Sequence, residues 1–89
     1  MIEREVVVLN RAGVHTRPAS QIVRTAAKFK SDFYIKKDGY EINGKSIIGV
    51  MTLAAEQGAT LILLLDGPDE AEAADALAQL FADAFGEAK

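Results

Sequence analysis

Hydrophobic and polar positions follow two different periods along the 89-residue chain. Residues 2–9 alternate apolar and charged side chains before becoming wholly apolar, and residues 60–65 form a short apolar run. Both patterns are typical of strands. Residues 33–37 and 40–42 predict a hairpin, because an Asp-Gly pair stands between them at the position of the turn. The pattern therefore predicts four strands.

Three other segments have the helical period. Residues 16–29 place one set of apolar side chains on a single face, and Pro18 fixes the beginning of this helix near residues 15–17, because proline fits only the first turn. Ser46 is a natural N-cap for a short second helix that Gly58 would stop. Asp69 and Glu72 resemble a capping box at the start of the last helix. Its expected buried stripe is Ala73, Leu77, Leu80, Ala84 and Phe85.

The predicted order of elements is β-α-β-β-α-β-α. One sheet with its helices packed on a single face is the simplest arrangement that buries these one-sided patterns. The expected fold is therefore an α+β open-faced β-sandwich, and the hairpin makes its sheet at least partly antiparallel. The chain length and the lack of repeats or linkers predict a single domain over residues 1–89.

Charge and composition exclude several classes of function. The formal net charge of -3 argues against a nucleic-acid binder. Residues 11–45 are predominantly basic, which favours an acidic partner or an anionic group, whereas residues 56–89 are predominantly acidic. With no cysteine and one histidine, neither a metal site nor a cofactor is expected. The apolar runs are too short to span a membrane, and the N-terminus does not resemble a signal peptide, so a cytoplasmic location is expected.

The single histidine, His15, lies in the stretch "GVHTRPAS" at the predicted beginning of a helix. Free amide groups and the helix dipole make such a position suitable for an anion, and the same field favours the neutral, nucleophilic imidazole. Arg17 can pair with phosphate oxygens. These residues together indicate a histidine that accepts a phosphoryl group. The alternative from the residues alone is that His15 only caps the helix. No acidic residue lies near it in sequence, and the glycine spacing matches no nucleotide-binding motif, so a conventional enzyme is not expected.

The motifs "GVHTRPA" and "GKSIIGVM" resemble those of the HPr family, the histidine-containing phosphocarriers of the bacterial phosphoenolpyruvate-dependent phosphotransferase system. The similarity extends over essentially the whole chain. It implies that His15 is phosphorylated on Nδ1 (the pros nitrogen) and that Arg17 assists the transfer. It also implies that Ser46 is a regulatory site for an HPr kinase/phosphorylase. The fold of this family is a four-stranded antiparallel sheet with three helices on one face.

The resemblance further implies the partners. Enzyme I would supply the phosphoryl group to the histidine, IIA domains of sugar permeases would receive it, and a transcriptional regulator would recognise the phosphoserine form in organisms that have one. A monomer is expected, with no turnover of its own. An apolar patch surrounded by basic side chains suits transient docking. The expected docking residues are Thr16, Ser20, Arg24, Ile47, Ile48 and Met51.

Two alternatives stay open on the sequence. Ile47 and Met51 could equally belong to the core. The protein could also be a regulatory docking module, as in a nitrogen-related or permease-lacking phosphotransferase system, with His15 serving a structural purpose only.

Overall fold

Four antiparallel strands form one sheet in the computed structural model, which describes residues 1–89. The strands are β1 (Ile2–Val7), β2 (Asp32–Lys37), β3 (Tyr40–Asn43) and β4 (Thr60–Asp66). Their order across the sheet is β1-β4-β2-β3. β4, which contains the apolar run of residues 60–65, is a central strand that pairs with a neighbour on each side: Leu64 lies opposite Glu3 of β1 and Tyr34 of β2.

Three helices are α1 (Thr16–Ala26), α2 (Ile47–Thr52) and α3 (Glu70–Ala82). Buried side chains of α1 and α3 share one cluster with the inward side chains of β4, including Leu61, Leu63 and Leu65. The other face of the sheet is open, and Tyr34 on that face is 39% exposed. The predicted open-faced α+β fold and its order of elements are therefore confirmed.

The second helix is shorter than the sequence pattern predicts. It ends at Thr52, well before Gly58, and Ala54 has a left-handed φ of 50°. Helical conformation cannot continue through such a residue. The buried side chains of Leu53 and Ala55 instead secure the chain as it turns towards β4.

The predicted capping box at the start of α3 is wrong. Asp69 makes no side-chain bond to its own helix. Its carboxylate accepts hydrogen bonds from the backbone N–H groups of Lys30 and Ser31, at 2.8 and 2.9 Å, and from the Ser31 hydroxyl at 2.5 Å. Glu70, the first residue of α3, reaches back instead, and its carboxylate accepts the N–H of Gly67 in the turn before the helix at 3.2 Å. Three converging donors compete better for the Asp69 carboxylate than one local amide does.

Replacement of Asp69 tests this connection between α3 and β2. The hydrogen bond from the Ser31 hydroxyl, followed by that from the Lys30 N–H, lowers the pKa of Asp69. Because the folded-state pKa is depressed, this stabilisation is complete above the ordinary value of 3.8 and is lost as the pH falls through the lower folded value. Asp69→Asn turns an amide towards the same donors, so its melting temperature at pH 7 should fall by roughly 5 °C or more.

Thermal melts of Asp69→Asn and wild type from pH 7 to pH 2 measure this effect. Asp75→Asn is the matched control, since Asp75 makes only an exposed ion pair with Arg4. The difference between wild type and Asp69→Asn should shrink towards the acid end. A constant difference at every pH would show that the charge of Asp69 contributes nothing.

Candidate functional site

His15 stands at the N-cap of α1, as its sequence position predicts. Its backbone is extended, and its side chain makes no capping hydrogen bond to the helix. The backbone carbonyl of His15 accepts the Ala19 N–H at 2.9 Å. Pro18 occupies the first turn and is buried. The imidazole is 44% exposed. The helix is therefore started by backbone geometry, and the imidazole is left free for other contacts.

His15 makes one contact that the sequence did not predict. Its Nε2 atom lies 3.0 Å from both carboxylate oxygens of Glu87, a residue 72 positions away. The sequence offers no signal for this pair, because Glu87 is one acidic residue in an acidic C-terminal half. Nδ1 of His15 has no hydrogen-bond partner within the protein, so it is the ring nitrogen available to another molecule.

The electrostatics of the pair follow from these contacts. The hydrogen bond from His15 lowers the pKa of Glu87, and the hydrogen bond from Asn10 and the positive charge of Arg17 act in the same direction. Partial burial of the carboxylate opposes them, since its side chain is only 13% exposed. Glu87 is thus a carboxylate at neutral pH. Arg17 itself is exposed in the first turn of α1.

Ser46 caps α2, as predicted. Its hydroxyl oxygen accepts the Gly49 N–H at 3.1 Å. Three apolar side chains of α2 are exposed to solvent, Ile47 by 38%, Ile48 by 74% and Met51 by 43%, whereas Val50 is buried. The core alternative for Ile47 and Met51 is therefore wrong.

The expected docking residues of α1 and α2 are partly brought together. Ser20, Arg24 and Ile47 line one shallow groove between the two helices, together with Val23 and Ala27. Thr16 is exposed at the beginning of α1. The six expected docking residues, of which Ser20, Arg24 and Ile47 line the groove and Thr16, Ile48 and Met51 are exposed on the same two helices, are called the α1–α2 surface below. They combine apolar side chains with a guanidinium group.

Two further features concern the chain as a whole. No helix has the length and apolar character required to cross a membrane. No group of three or more histidine, cysteine, aspartate or glutamate side chains is arranged to hold a metal ion.

The open-faced fold and an exposed histidine at a helix N-terminus define a class of small α+β proteins that includes the histidine phosphocarriers. The family model described as "PTS HPr component phosphorylation site" matches residues 2–83. The chain thus belongs to the HPr family, the phosphocarrier proteins of the phosphotransferase system.

Known relatives agree with this membership. The phosphocarrier protein HPr of Treponema pallidum is 47% identical over 98% of this chain and 99% of its own length. The HPr of Xylella fastidiosa is 44% identical over 98% of both chains. The crystal structure of HPr-C-His from Thermoanaerobacter tengcongensis superposes with a TM-score of 0.95, 42% identity and complete coverage of both chains.

Some related structures are dimers. An HPr dimer from Thermoanaerobacter tengcongensis has a TM-score of 0.79, with 42% identity over 98% of this chain and 100% of that one. The swapped dimer of Crh from Bacillus subtilis has a TM-score of 0.72, with 38% identity over 100% of this chain and 99% of that one. The monomer expected from the sequence therefore stays a prediction.

Proposed function

We propose that residues 1–89 act as a single cytoplasmic carrier domain that accepts a phosphoryl group on Nδ1 of His15. Enzyme I, charged by phosphoenolpyruvate, is the donor, and IIA domains of sugar permeases are the acceptors. One observation carries this proposal: His15 is exposed at a helix N-terminus with Nδ1 unpartnered. A nucleophile for a partner's phosphoryl group needs both the free lone pair and this access.

The transfer is a simple exchange of bonds. The lone pair of Nδ1 forms the new nitrogen–phosphorus bond, and the bond from phosphorus to the donor atom breaks with its electron pair leaving on the donor. The first N–H groups of α1 lack partners inside the helix and, with the helix dipole, stabilise the added negative charge. The carrier has no turnover of its own, because each cycle needs one partner to load the histidine and another to unload it.

Labelling tests this function directly. Incubation with phosphoenolpyruvate and Enzyme I should add one phosphoryl group, visible by intact mass, that is lost in acid and stable in base. Omission of Enzyme I is the control and should leave the mass unchanged. No added mass, under conditions that label a known HPr, would overturn the proposal.

We propose a regulatory role for Ser46 and a docking role for the α1–α2 surface. The Ser46 hydroxyl oxygen accepts one hydrogen bond, from the Gly49 N–H, so its second lone pair and its own hydrogen stay available to a kinase. HPr kinase/phosphorylase is the expected enzyme for this step. The exposed side chains of Ile47, Ile48 and Met51 directly follow Ser46. A phosphate here would therefore change partner binding, and a transcriptional regulator is the expected reader of that form.

A second candidate function is a purely regulatory docking module, as in a nitrogen-related or permease-lacking system. The likeness to Crh of Bacillus subtilis, which is described as a catabolite repression protein, favours it. The two functions differ in the labelling experiment. A carrier takes up a phosphoryl group from Enzyme I and then loses it to purified IIA domains, whereas a docking module in which His15 is only structural is not labelled.

Arg17→Ala should slow phosphoryl transfer to and from His15 by about fivefold, which corresponds to ~1 kcal/mol for an exposed charged contact. Arg17→Lys should recover part of the rate, because lysine supplies the charge without the planar fork of donors. Quenched-flow transfer rates measure the effect, and Arg4→Ala is the control for loss of one guanidinium elsewhere. Equal rates for wild type and Arg17→Ala would make Arg17 a solvated surface residue.

A further inference from the structure

The C-terminal tail, residues 83–89, is fastened to the body of the protein. Phe85 is buried with its ring edge-on to Phe81, at 4.9 Å between ring centres. The backbone carbonyl of Phe85 accepts a hydrogen bond from the Gln21 side chain at 3.2 Å. Farther along, the Arg11 N–H donates to the carbonyl of Ala88 at 2.8 Å. Glu87 therefore lies between two anchored positions.

A buried amide places the Glu87 carboxylate. Asn10 is fully buried, and its Nδ2 group donates both to the Gly13 carbonyl at 2.7 Å and to Oε1 of Glu87 at 3.0 Å. The same side chain thus joins the loop before His15 to the tail. The position of Glu87 is set by this framework as well as by its contact with the imidazole.

We propose that Glu87 is a positioning residue for the phosphoryl transfer: it holds the hydrogen of His15 on Nε2, keeps the lone pair on Nδ1, and balances the charge that the ring gains. This inference rests on the function proposed above. It extends that function by assigning a task to the tail.

The position of the ring hydrogen of His15 follows from hydrogen-bond chemistry. An ionised carboxylate only accepts hydrogen bonds, so the ring nitrogen that faces Glu87 must be the donor. A neutral imidazole carries one ring hydrogen, and its other nitrogen then has the free lone pair. With Nε2 at 3.0 Å from both carboxylate oxygens, that lone pair is on Nδ1.

The charge that Glu87 balances arises in the exchange of bonds. When Nδ1 gives its lone pair to phosphorus, the ring becomes positively charged while the hydrogen stays on Nε2. The Glu87 carboxylate faces this charge directly, as the aspartate does in a serine-histidine-aspartate triad. An electrostatic partner that is already in place stabilises charge as it develops, without reorganisation. The carboxylate therefore accelerates the transfer without touching the phosphoryl group.

Two variants separate hydrogen bonding from charge. Glu87→Gln retains an oxygen that can accept the Nε2 hydrogen but removes the negative charge, whereas Glu87→Ala removes both. Glu72→Gln is the matched control, an identical change at an exposed position in the first turn of α3. Every variant is made and measured in the full 89-residue protein.

The first measurement is the tautomer of His15, from long-range proton–nitrogen NMR spectra of the unphosphorylated protein at pH 8. Wild type, Glu72→Gln and Glu87→Gln should carry the hydrogen on Nε2, and Glu87→Ala should show an increased fraction with the hydrogen on Nδ1. The second is the rate of phosphoryl acceptance from Enzyme I. It should fall by about tenfold in both Glu87 variants, because each loses the negative charge that faces the ring, and stay within twofold in Glu72→Gln.

Each outcome decides one of the two proposals. Wild-type transfer rates in both Glu87 variants would overturn the positioning role and leave the carrier function intact. Failure of wild type itself to accept the phosphoryl group would overturn the carrier function. If Glu87→Ala does not fold, as thermal melts would show, the rate of Glu87→Gln decides.

Discussion

A His15→Ala variant is expected to accept no phosphoryl group from Enzyme I and to keep its fold. The chain contains one histidine, so no second imidazole can replace it. The lost side chain is exposed and makes no capping bond to α1. Its removal, which also loses the hydrogen bond to Glu87, should therefore change the free energy of unfolding by ~1 kcal/mol.

Intact mass after incubation with phosphoenolpyruvate and Enzyme I measures this loss, and thermal melts confirm the fold. Wild type under the same conditions is the positive control. An acid-labile phosphoryl group on the variant would refute the assignment of His15, since that chemistry would then belong to another residue.

Ser46→Asp is expected to remain folded and to accept phosphoryl groups from Enzyme I at least tenfold less efficiently. Aspartate is a good N-cap and can accept the Gly49 N–H in place of the serine hydroxyl. A negative charge at an exposed helix N-terminus stabilises it by ~0.3–1 kcal/mol. The melting temperature should thus equal or slightly exceed that of wild type.

The free energy of binding to Enzyme I should be weakened by more than the stability of α2 is increased. The new charge at position 46 stands immediately before Ile47 and Ile48, which are exposed on the α1–α2 surface. Burying an unpaired charge in an interface costs several kcal/mol, and an acidic partner surface adds repulsion. A loss of only ~1.4 kcal/mol is tenfold in affinity.

The apparent KM for the carrier in the Enzyme I reaction, at low and moderate salt, measures this penalty. Ser46→Asn is the matched control, because asparagine has nearly the same shape and capping ability as aspartate but no charge. The Asn variant should behave like wild type. If the Asp and Asn variants had the same KM as wild type, Ser46 would be a cap and nothing more.

Local pattern was enough to predict most of the fold. The alternation in β1, the apolar run of β4 and the helical period of residues 16–29 each depend on neighbours within one element, so the sequence contains the whole signal. The same is true of the His15 position, because Pro18 restricts where α1 can begin. Ser46 was predictable as a cap because its bond to Gly49 spans three residues.

Interactions between distant segments could not be predicted in this way. Asp69 has the sequence context of a capping residue, yet its partners in Lys30 and Ser31 lie in the turn before β2. Ile47 and Met51 have apolar side chains on a short helix, and only the packing of α2 shows that they face outward. Which donors or surfaces a side chain meets depends on how separate elements pack, and several packings are compatible with one local pattern.

By itself, the sequence determined the order of strands and helices, the histidine at the beginning of α1 and the capping serine, because each is encoded by residues within one turn or one element; it did not determine where the helices end. The tertiary structure alone decided that Glu87 faces His15 across 72 residues of chain. This contact exists because Phe85 enters the core and the fully buried Asn10 reaches the carboxylate. No residue beside Glu87 marks it for that position; its place follows from the packing of the tail against the body of the protein.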